Sequence, residues 1–350
     1  VKDSFCKALI DEINIPLIST SANISGNPFP KKFKEIDKRI INQVDYVVNL
    51  NDSNLINSKP DCILAVGGGK LVDAGKCIAH RLNCQVVIIP TLASNDAPCS
   101  SISVLYTSDG VKDLVEYFPQ NPAFVIVDTE VIVNASERYL VAGMGDAMAT
   151  WYEARVCEDN PATSNLVGCR PTLAASALSE KCAHTLFEHG VCAAENVRNN
   201  KNSDSVERVV EANTLLSGIG FESGGLALAH PLANSYTEIT RLNKKYLHGE
   251  MVAMGTLAQL AMESSKDLEK VTKFFIDVGL PVNLEQLSMS PLQKSEIDMV
   301  IETAFKNPLI KNMNFEVSKE LILDSIKKAD EVGTHFVSKY GDEAYRRLHS

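Results

Sequence analysis

The apolar and polar positions of this chain change period partway along it. Between about residues 62 and 128, short apolar runs alternate with segments of helix length. Cys62-Ile63-Leu64-Ala65-Val66 reads as a buried strand, and Leu71-Val72 to Ile78-Ala79-Leu82 places apolar residues at helical spacing. Gln85-Val86-Val87-Ile88-Ile89 is a second β-branched run, closed by Pro90. Residues 101–106 alternate like a half-buried strand, and residues 123–128 read as a further buried one. Strands separated by helix-length segments predict a parallel sheet with helices on its faces. From about Ser136 the helical period takes over, over residues 138–158, 172–197, 205–218, 249–265 and 318–340, with Gly or Pro clusters separating most of these segments. The change of period puts a hinge near Asn134-Ala135-Ser136. The first sixty residues fit neither pattern. They hold Ile15-Pro16-Leu17-Ile18, a polar string over residues 19–26, Val44-Asp45-Tyr46-Val47-Val48, and a Ser/Asn/Pro-rich stretch over residues 51–60 that reads as a linker.

At 350 residues the chain can hold two cores, and 45% hydrophobic with 22% charged residues is ordinary globular composition. The net charge of −10 argues against a general binder of nucleic acid or anionic membrane, and no apolar run approaches the ~20 residues that cross a bilayer. The start, Val1-Lys2-Asp3-Ser4, lacks both an initiator Met and an apolar leader, and reads as a fragment or a processed product. Nine cysteines without a CxxC pair suit free thiols in a reducing cytoplasm, so a cytoplasmic protein is expected.

Gly67-Gly68-Gly69-Lys70 stands where the first strand meets its helix, followed by Asp73 and Lys76. Glycines there let a phosphate approach backbone N–H groups at the positive end of a helix dipole, and Lys70 adds a cation. The run is neither a P-loop nor a GxGxxG, so a phosphate site and a plain tight turn are both open readings. Ser94-Asn95-Asp96-Ala97-Pro98 follows the second strand at its carboxyl end, where open α/β sheets bind ligands. Asp96 is suited to accept hydrogen bonds from substrate hydroxyls, or to shape the loop as an Asx-turn.

In the helical part, Asp146 lies in Gly143-Met144-Gly145-Asp146-Ala147. Each glycine costs a helix about 1 kcal/mol against alanine, which points to close approach of something to the backbone. His230 follows a glycine-rich apolar stretch, and His248 precedes Gly249-Glu250 at a helix start. One carboxylate and two imidazoles with an open position suit catalytic Zn²⁺ or Fe²⁺. A lone histidine in an apolar segment is also a common core residue. The other histidines, His80, His184, His189, His335 and His349, receive no role.

The succession Gly-Gly-Gly-Lys-x-x-Asp, Ser-x-Asp-Ala-Pro-Cys-Ser, Gly-Met-Gly-Asp-Ala, Phe221-Glu222-Ser223-Gly224-Gly225-Leu226 with His230, and His248-Gly249-Glu250 resembles the glycerol dehydrogenases. These belong to the metal-dependent, iron-type alcohol dehydrogenase superfamily. Trp151, Glu153 and Leu215-Leu216-Ser217-Gly218 extend the similarity, which covers about residues 61–340. The resemblance implies NAD-dependent oxidation of glycerol or a related vicinal diol to the hydroxyketone, and a homo-oligomer. It implies that Gly68, Gly69 and Lys70 hold the NAD pyrophosphate, and that Asp73, Thr91, Ser94, Ser100, Ile102 and Tyr106 line the rest of the cofactor site. Asp96 would bind a substrate hydroxyl, and Asp146, His230 and His248 a divalent metal, zinc or iron. Asn95, Ala233 and Lys311 depart from the family's usual Thr, His and His, and the His230–His248 separation is one residue longer. The first two departures and the longer separation touch the substrate side.

The front of the chain resembles something else. Phe5-Cys6, the Ser19-Thr20-Ser21-Ala22-Asn23-Ile24-Ser25-Gly26 string and residues 44–48 are similar to the later part of the YrdC-like domain of threonylcarbamoyl-AMP synthase. There the string contributes to a nucleotide site. Two strand–helix units and an acidic ribose-binding residue expected before the glycine loop are missing. The expected fold is therefore α/β plus all-α: a truncated or rebuilt Rossmann-like parallel-sheet domain, then an all-helical metal-binding domain. The expected divisions are a YrdC-like fragment and linker (1–60), a dinucleotide-binding α/β domain (61–135) and a helical metal and substrate domain (136–350). Two other readings are a metal-binding homologue with an incomplete NAD site and a nucleotide-binding or tRNA-modification remnant carried by residues 1–60.

Overall fold

The computed structural model describes Leu17–Ile18, residues 60–106 and residues 112–350. Apart from Leu17–Ile18 and Pro60, the readings made on residues 1–60 lie outside the described residues. The chain forms two compact units: Val1–Leu92 with Ala97–Asp128, and Ala93–Asp96 with Thr129–Ser350.

In the first unit the strands are β1 (Leu17–Ile18), β2 (Cys62–Gly67), β3 (Gln85–Pro90), β4 (Ile102–Tyr106), β5 (Lys112–Tyr117) and β6 (Phe124–Val125). Four of them make a parallel sheet in the order β1-β2-β3-β6. The β2–β3 register runs without a break from Cys62↔Gln85 to Gly67↔Pro90. Helix α1 (Gly69–Leu82) crosses between those two strands and buries Leu71 and Val72 against Ala65 and Ile88. Asn83 closes it in the left-handed conformation, φ 53°.

Two expectations need correction. Residues 101–106 do form a strand, but β4 pairs antiparallel with β5 in a separate ribbon and not in the parallel sheet. The polar position of β4, Ser103, is buried and donates to the Asp73 carbonyl of α1 at 3.0 Å, and β5, Lys-Asp-Leu-Val-Glu-Tyr, was obscured by its own polar residues. Within residues 123–128 the strand is just Phe124–Val125, in register with β3 and bonded to it by the N–H groups of Ala123 and Ile126, and Phe124 is 67% exposed. Val125 packs on the core while Phe124 takes the opposite face of the pleat, so an apolar run that reads as doubly buried is covered on one side only.

The second unit is helical: α2 (Thr129–Val133), α3 (Glu137–Asp159), α4 (Leu173–Arg198), α5 (Asp204–Glu211), α6 (Ser217–Gly224), α7 (Ala229–Thr237), α8 (Thr240–Lys245), α9 (His248–Met262), α10 (Leu268–Val278), α11 (Lys294–Lys306), α12 (Lys319–Tyr340) and α13 (Glu343–His349). Ser136, Thr172, Ser203 and Ser318 cap α3, α4, α5 and α12 with side-chain acceptors. The helix expected over 205–218 runs on through a π-helical turn, Ala212–Leu216, into α6. Helices α3 and α9 are buried on nearly every side, which explains why neither shows a clear apolar stripe. No described helix is long and apolar enough to cross a membrane.

Candidate active site

Asp146, in the middle of α3, is fully buried. His230 at the start of α7 and His248 at the start of α9 turn their Nε2 atoms toward the same Asp146 Oδ1, each at 3.4 Å. Ligand atoms of all three residues lie within 4.8 Å of one another. The glycines of the sequence motif explain how. A Cβ on Gly145 would stand 2.4 Å from the Gly249 carbonyl oxygen, and one on Gly249 would stand 1.8 Å from the Ala142 carbonyl oxygen. The close approach expected at Gly143 and Gly145 is therefore that of the protein's own backbone. It lets α9 lie against α3 with His248 beside Asp146.

Glu153, two helical turns after Asp146, was not given a role on sequence. It is fully buried, and its Oε2 lies 2.5 Å from His230 Nδ1. Its Oε1 accepts the N–H groups of Ala227 (2.8 Å) and His230 (3.1 Å). A carboxylate at Nδ1 fixes the tautomer that leaves Nε2 as the ligand atom. The signal was there: positions seven apart in a helix share a face. Burial alone would lower the His230 pKa, but Glu153 and Asp146 outweigh it and hold the imidazole well above its ordinary value. Burial alone would raise the Asp146 carboxyl; His248, His230 and the Asp96 backbone N–H bring it below the usual carboxylate range.

Neither Asp146 oxygen closes a hydrogen bond of normal geometry, although both are buried. A buried carboxylate left so is costly unless a cation completes it. Two imidazoles and a carboxylate, with the His248 side chain 38% exposed, form the donor set of a catalytic divalent centre with an open side. The residues fit the metal.

Asp96 groups with this helical unit. It is half-buried, and its Oδ2 accepts from Ser217 Oγ at 3.4 Å. Ser94 lies in the same short segment and is also half-buried.

The remaining expected residues belong to the sheet unit. Gly68 caps α1 in an extended conformation (φ −83°, ψ 179°) with no side-chain acceptor, and the first turn holds no acidic residue. The helix start therefore offers backbone donors, with Lys70 exposed beside them, which fits a pyrophosphate. The Thr91 N–H closes the turn onto the Gly67 carbonyl at 3.1 Å. Asp73, Ser100 and Ile102 are buried around Lys76, whose part sequence reasoning left undefined. Lys76 Nζ pairs with Asp73 Oδ1 at 3.0 Å and donates to the carbonyls of Ala97 (2.9 Å), Ser100 (3.3 Å) and Ile102. Asp73 also accepts the Val104 N–H at 3.1 Å. Burial raises the Asp73 carboxyl despite Lys76. These groups tie α1 to the ribbon. Tyr106 ends β4 opposite Lys112.

Comparison with known proteins agrees with this architecture. The family model for iron-containing alcohol dehydrogenase matches residues 46–129. Glycerol dehydrogenase of Thermotoga maritima is 43% identical over 284 residues, covering 80% of this chain and 78% of that protein. Glycolaldehyde reductase of Halobacterium salinarum is 39% identical, covering 79% and 76%. The crystal structure of glycerol dehydrogenase from Schizosaccharomyces pombe superposes with a TM-score of 0.76 at 36% identity, covering 81% of this chain and 72% of that one. The chain belongs to the iron-containing alcohol dehydrogenase family. Its relatives at about 40% identity include glycerol dehydrogenases from several bacteria. A second family model, described as "Telomere recombination" (the Sua5, YciO and YrdC group), matches residues 1–73 and so shares residues 46–73 with the first.

Proposed function

We propose that this protein oxidises a vicinal diol, glycerol or a close analogue, to the hydroxyketone with NAD⁺. The observation that carries the reading is the buried Asp146 carboxylate facing two imidazole Nε2 atoms. When bound, a divalent cation polarises the alcohol oxygen and favours its ionised form, and NAD⁺ accepts the carbinol hydride. Asp146, His230 and His248 would hold that cation, zinc or alternatively iron, and Glu153 orients His230 for it. The Asp96 carboxylate would accept a hydrogen bond from the second substrate hydroxyl, which selects diols and aligns the carbinol carbon. Gly68, Gly69 and Lys70 would bind the pyrophosphate, with Thr91, Ser94 and Tyr106 toward the rest of the cofactor. Asp73, Ser100 and Ile102 would act from behind, by shaping the ribbon. The balance is diol plus NAD⁺ to hydroxyketone, NADH and a proton. The family also suggests a homo-oligomer, which a sedimentation measurement would test.

The decisive assay follows NADH absorbance with glycerol and 1,2-propanediol on folded, zinc-loaded protein. Turnover of either diol, abolished by chelation, is expected; none on any vicinal diol would overturn the reading. One observation favours a second reading: the second family match runs through residue 73, where strand–helix units of a dinucleotide site are expected. A metal-binding homologue without NAD affinity would show zinc uptake but no quenching or enhancement of NADH fluorescence.

A further inference from the structure

The sequence motif Leu215-Leu216-Ser217-Gly218 has no part in the reaction as derived so far. Its neighbourhood has two unusual features. The helix passes through a π-helical turn at Ala212–Leu216, a geometry that often marks functional segments. Within it Asn213 is fully buried, and its Oδ1 has no hydrogen-bond partner. A buried amide that leaves its acceptor unpaired costs stability, so its donor half must be placed for a reason.

The donor half holds the substrate segment. Asn213 Nδ2 donates to the Ala93 carbonyl at 2.9 Å and to the Leu140 carbonyl at 3.1 Å, joining residues 93–96 to α3. Gly143 makes room for this: a Cβ there would stand 2.0 Å from the Ala93 oxygen and 2.4 Å from Asn213 Nδ2. At the other end of the segment, Ser217 Oγ donates to Asp96 Oδ2 at 3.4 Å. Ser217 is itself fully buried, 2.7 Å from the Thr150 hydroxyl on α3. The extra residue of the π-turn sets the two side chains so that one grips each end of a four-residue segment.

We propose that Asn213 and Ser217 are positioning residues for the substrate: they hold residues 93–96 in place, and Ser217, backed by Thr150, orients the Asp96 carboxylate toward the diol. The proposal rests on the assignment of Asp96 to a substrate hydroxyl. Without the Ser217 hydroxyl, Asp96 keeps its charge but loses one hydrogen bond that directs it, so diol recognition suffers while metal and cofactor binding do not.

The test is a double-mutant cycle on zinc-loaded protein with Asp96→Asn, Ser217→Ala and the pair, read by kcat and KM for the diol, by zinc affinity in chelator competition and by NADH fluorescence. Ser217→Ala is expected to lower kcat/KM by roughly three- to tenfold, mostly through KM, the range for losing one ordinary hydrogen bond. Zinc and NADH affinities should stay put, Ser217→Thr should restore most of the loss, and Ser217→Ala should add nothing once Asp96 is Asn. Asn213→Ala should weaken the diol in the same direction. If Asp96→Asn itself leaves diol kinetics intact, the substrate assignment of Asp96 fails. If Asp96→Asn is damaging but Ser217→Ala is neutral, or the two effects simply multiply, the assignment stands and the positioning proposal falls.

Discussion

Glu153 decides which nitrogen of His230 is available, and it does so from a position that no metal-ligand spacing would have flagged. Of the proposed ligands, Asp146 and His248 were legible because each sits beside glycine in a setting where glycine is a poor choice for helix stability, and His230 because it follows the glycine-rich stretch that ends at Gly225. Glu153 lies inside an ordinary-looking helix, Ala-Thr-Trp-Tyr-Glu-Ala, and only its helical phase with Asp146 betrays it. We expect Glu153→Gln to weaken zinc binding about 10- to 100-fold, the usual effect of removing the carboxylate behind a ligating histidine. Chelator competition checks this, and an unchanged affinity would remove Glu153 from the site. The raised His230 pKa has a consequence for the metal-free protein. A histidine that binds its proton more tightly when folded stabilises fully below its ordinary value, 6.5, and that contribution disappears as the pH rises through the higher folded value. Zinc would take the place of the Nε2 proton that faces Asp146, with Glu153 still at Nδ1. The melting-temperature difference between zinc-loaded and metal-free protein should therefore widen from pH 6.5 upward; a gap that narrows with pH would contradict the charge arrangement.

Among the elements, α9 carries the greatest functional demand on local sequence. Its first residue is His248 and its second is a glycine pressed on α3. Its third, Glu250, is buried and accepts the Leu247 N–H at 2.8 Å, together with Arg138 Nε at 2.6 Å, Arg138 Nη2 at 2.8 Å and His349 Nε2 at 3.0 Å. Arg138 and His349 keep the Glu250 carboxyl below its ordinary range against the pull of burial. The helix end that presents His248 is thus fixed to the start of α3 and to α13. Gly249→Ala would force a methyl into the Ala142 carbonyl, which no rotamer change can relieve. It should cost about 1–3 kcal/mol by denaturant titration, and zinc affinity should fall with it, because α9 must back away from Asp146. Lys76 plays the matching part in the sheet unit. Removing it strands three carbonyls and the Asp73 carboxylate, so Lys76→Ala should destabilise by about 3–5 kcal/mol. The helix periods and caps of this protein were readable because Ser and Thr caps and Gly or Pro breaks announce the ends. The ribbon β4–β5 was only half readable, since Lys112–Tyr117 mixes charge with apolar residues and its pairing depends on tertiary contacts of Lys76 and Asp73.

On the scale of the whole molecule, the proposed metal ligands and the proposed pyrophosphate contacts divide between the two units, while Ser94, assigned to the cofactor, groups with the helical unit. Asp146, His230, His248, Glu153 and Asp96 all belong to Ala93–Asp96 with Thr129–Ser350, whereas the glycine turn and Lys70 belong to the sheet unit. Each set is built from contacts internal to its unit: Glu153 to His230 and Gly249 on α3 for one, the uncapped start of α1 for the other. This division makes a specific expectation about metal removal. Stripping the cation with a chelator leaves the start of α1 untouched, so NADH binding should persist to within a few-fold while diol turnover vanishes. Adding zinc back at a hundred times its dissociation constant should restore turnover and stabilise the helical unit by about 2.7 kcal/mol through binding linkage alone. Fluorescence titration of NADH on chelated and reloaded protein, beside a melting curve of each, reads both effects. If NADH affinity collapsed with the metal, the cofactor would depend on residues of the helical unit, and the assignment of Gly68, Gly69 and Lys70 as the principal pyrophosphate contacts would have to be abandoned. If neither form bound NADH, the glycine turn would be a tight strand–helix connection only, and the departure of residues 1–60 from the family pattern would be what disables it.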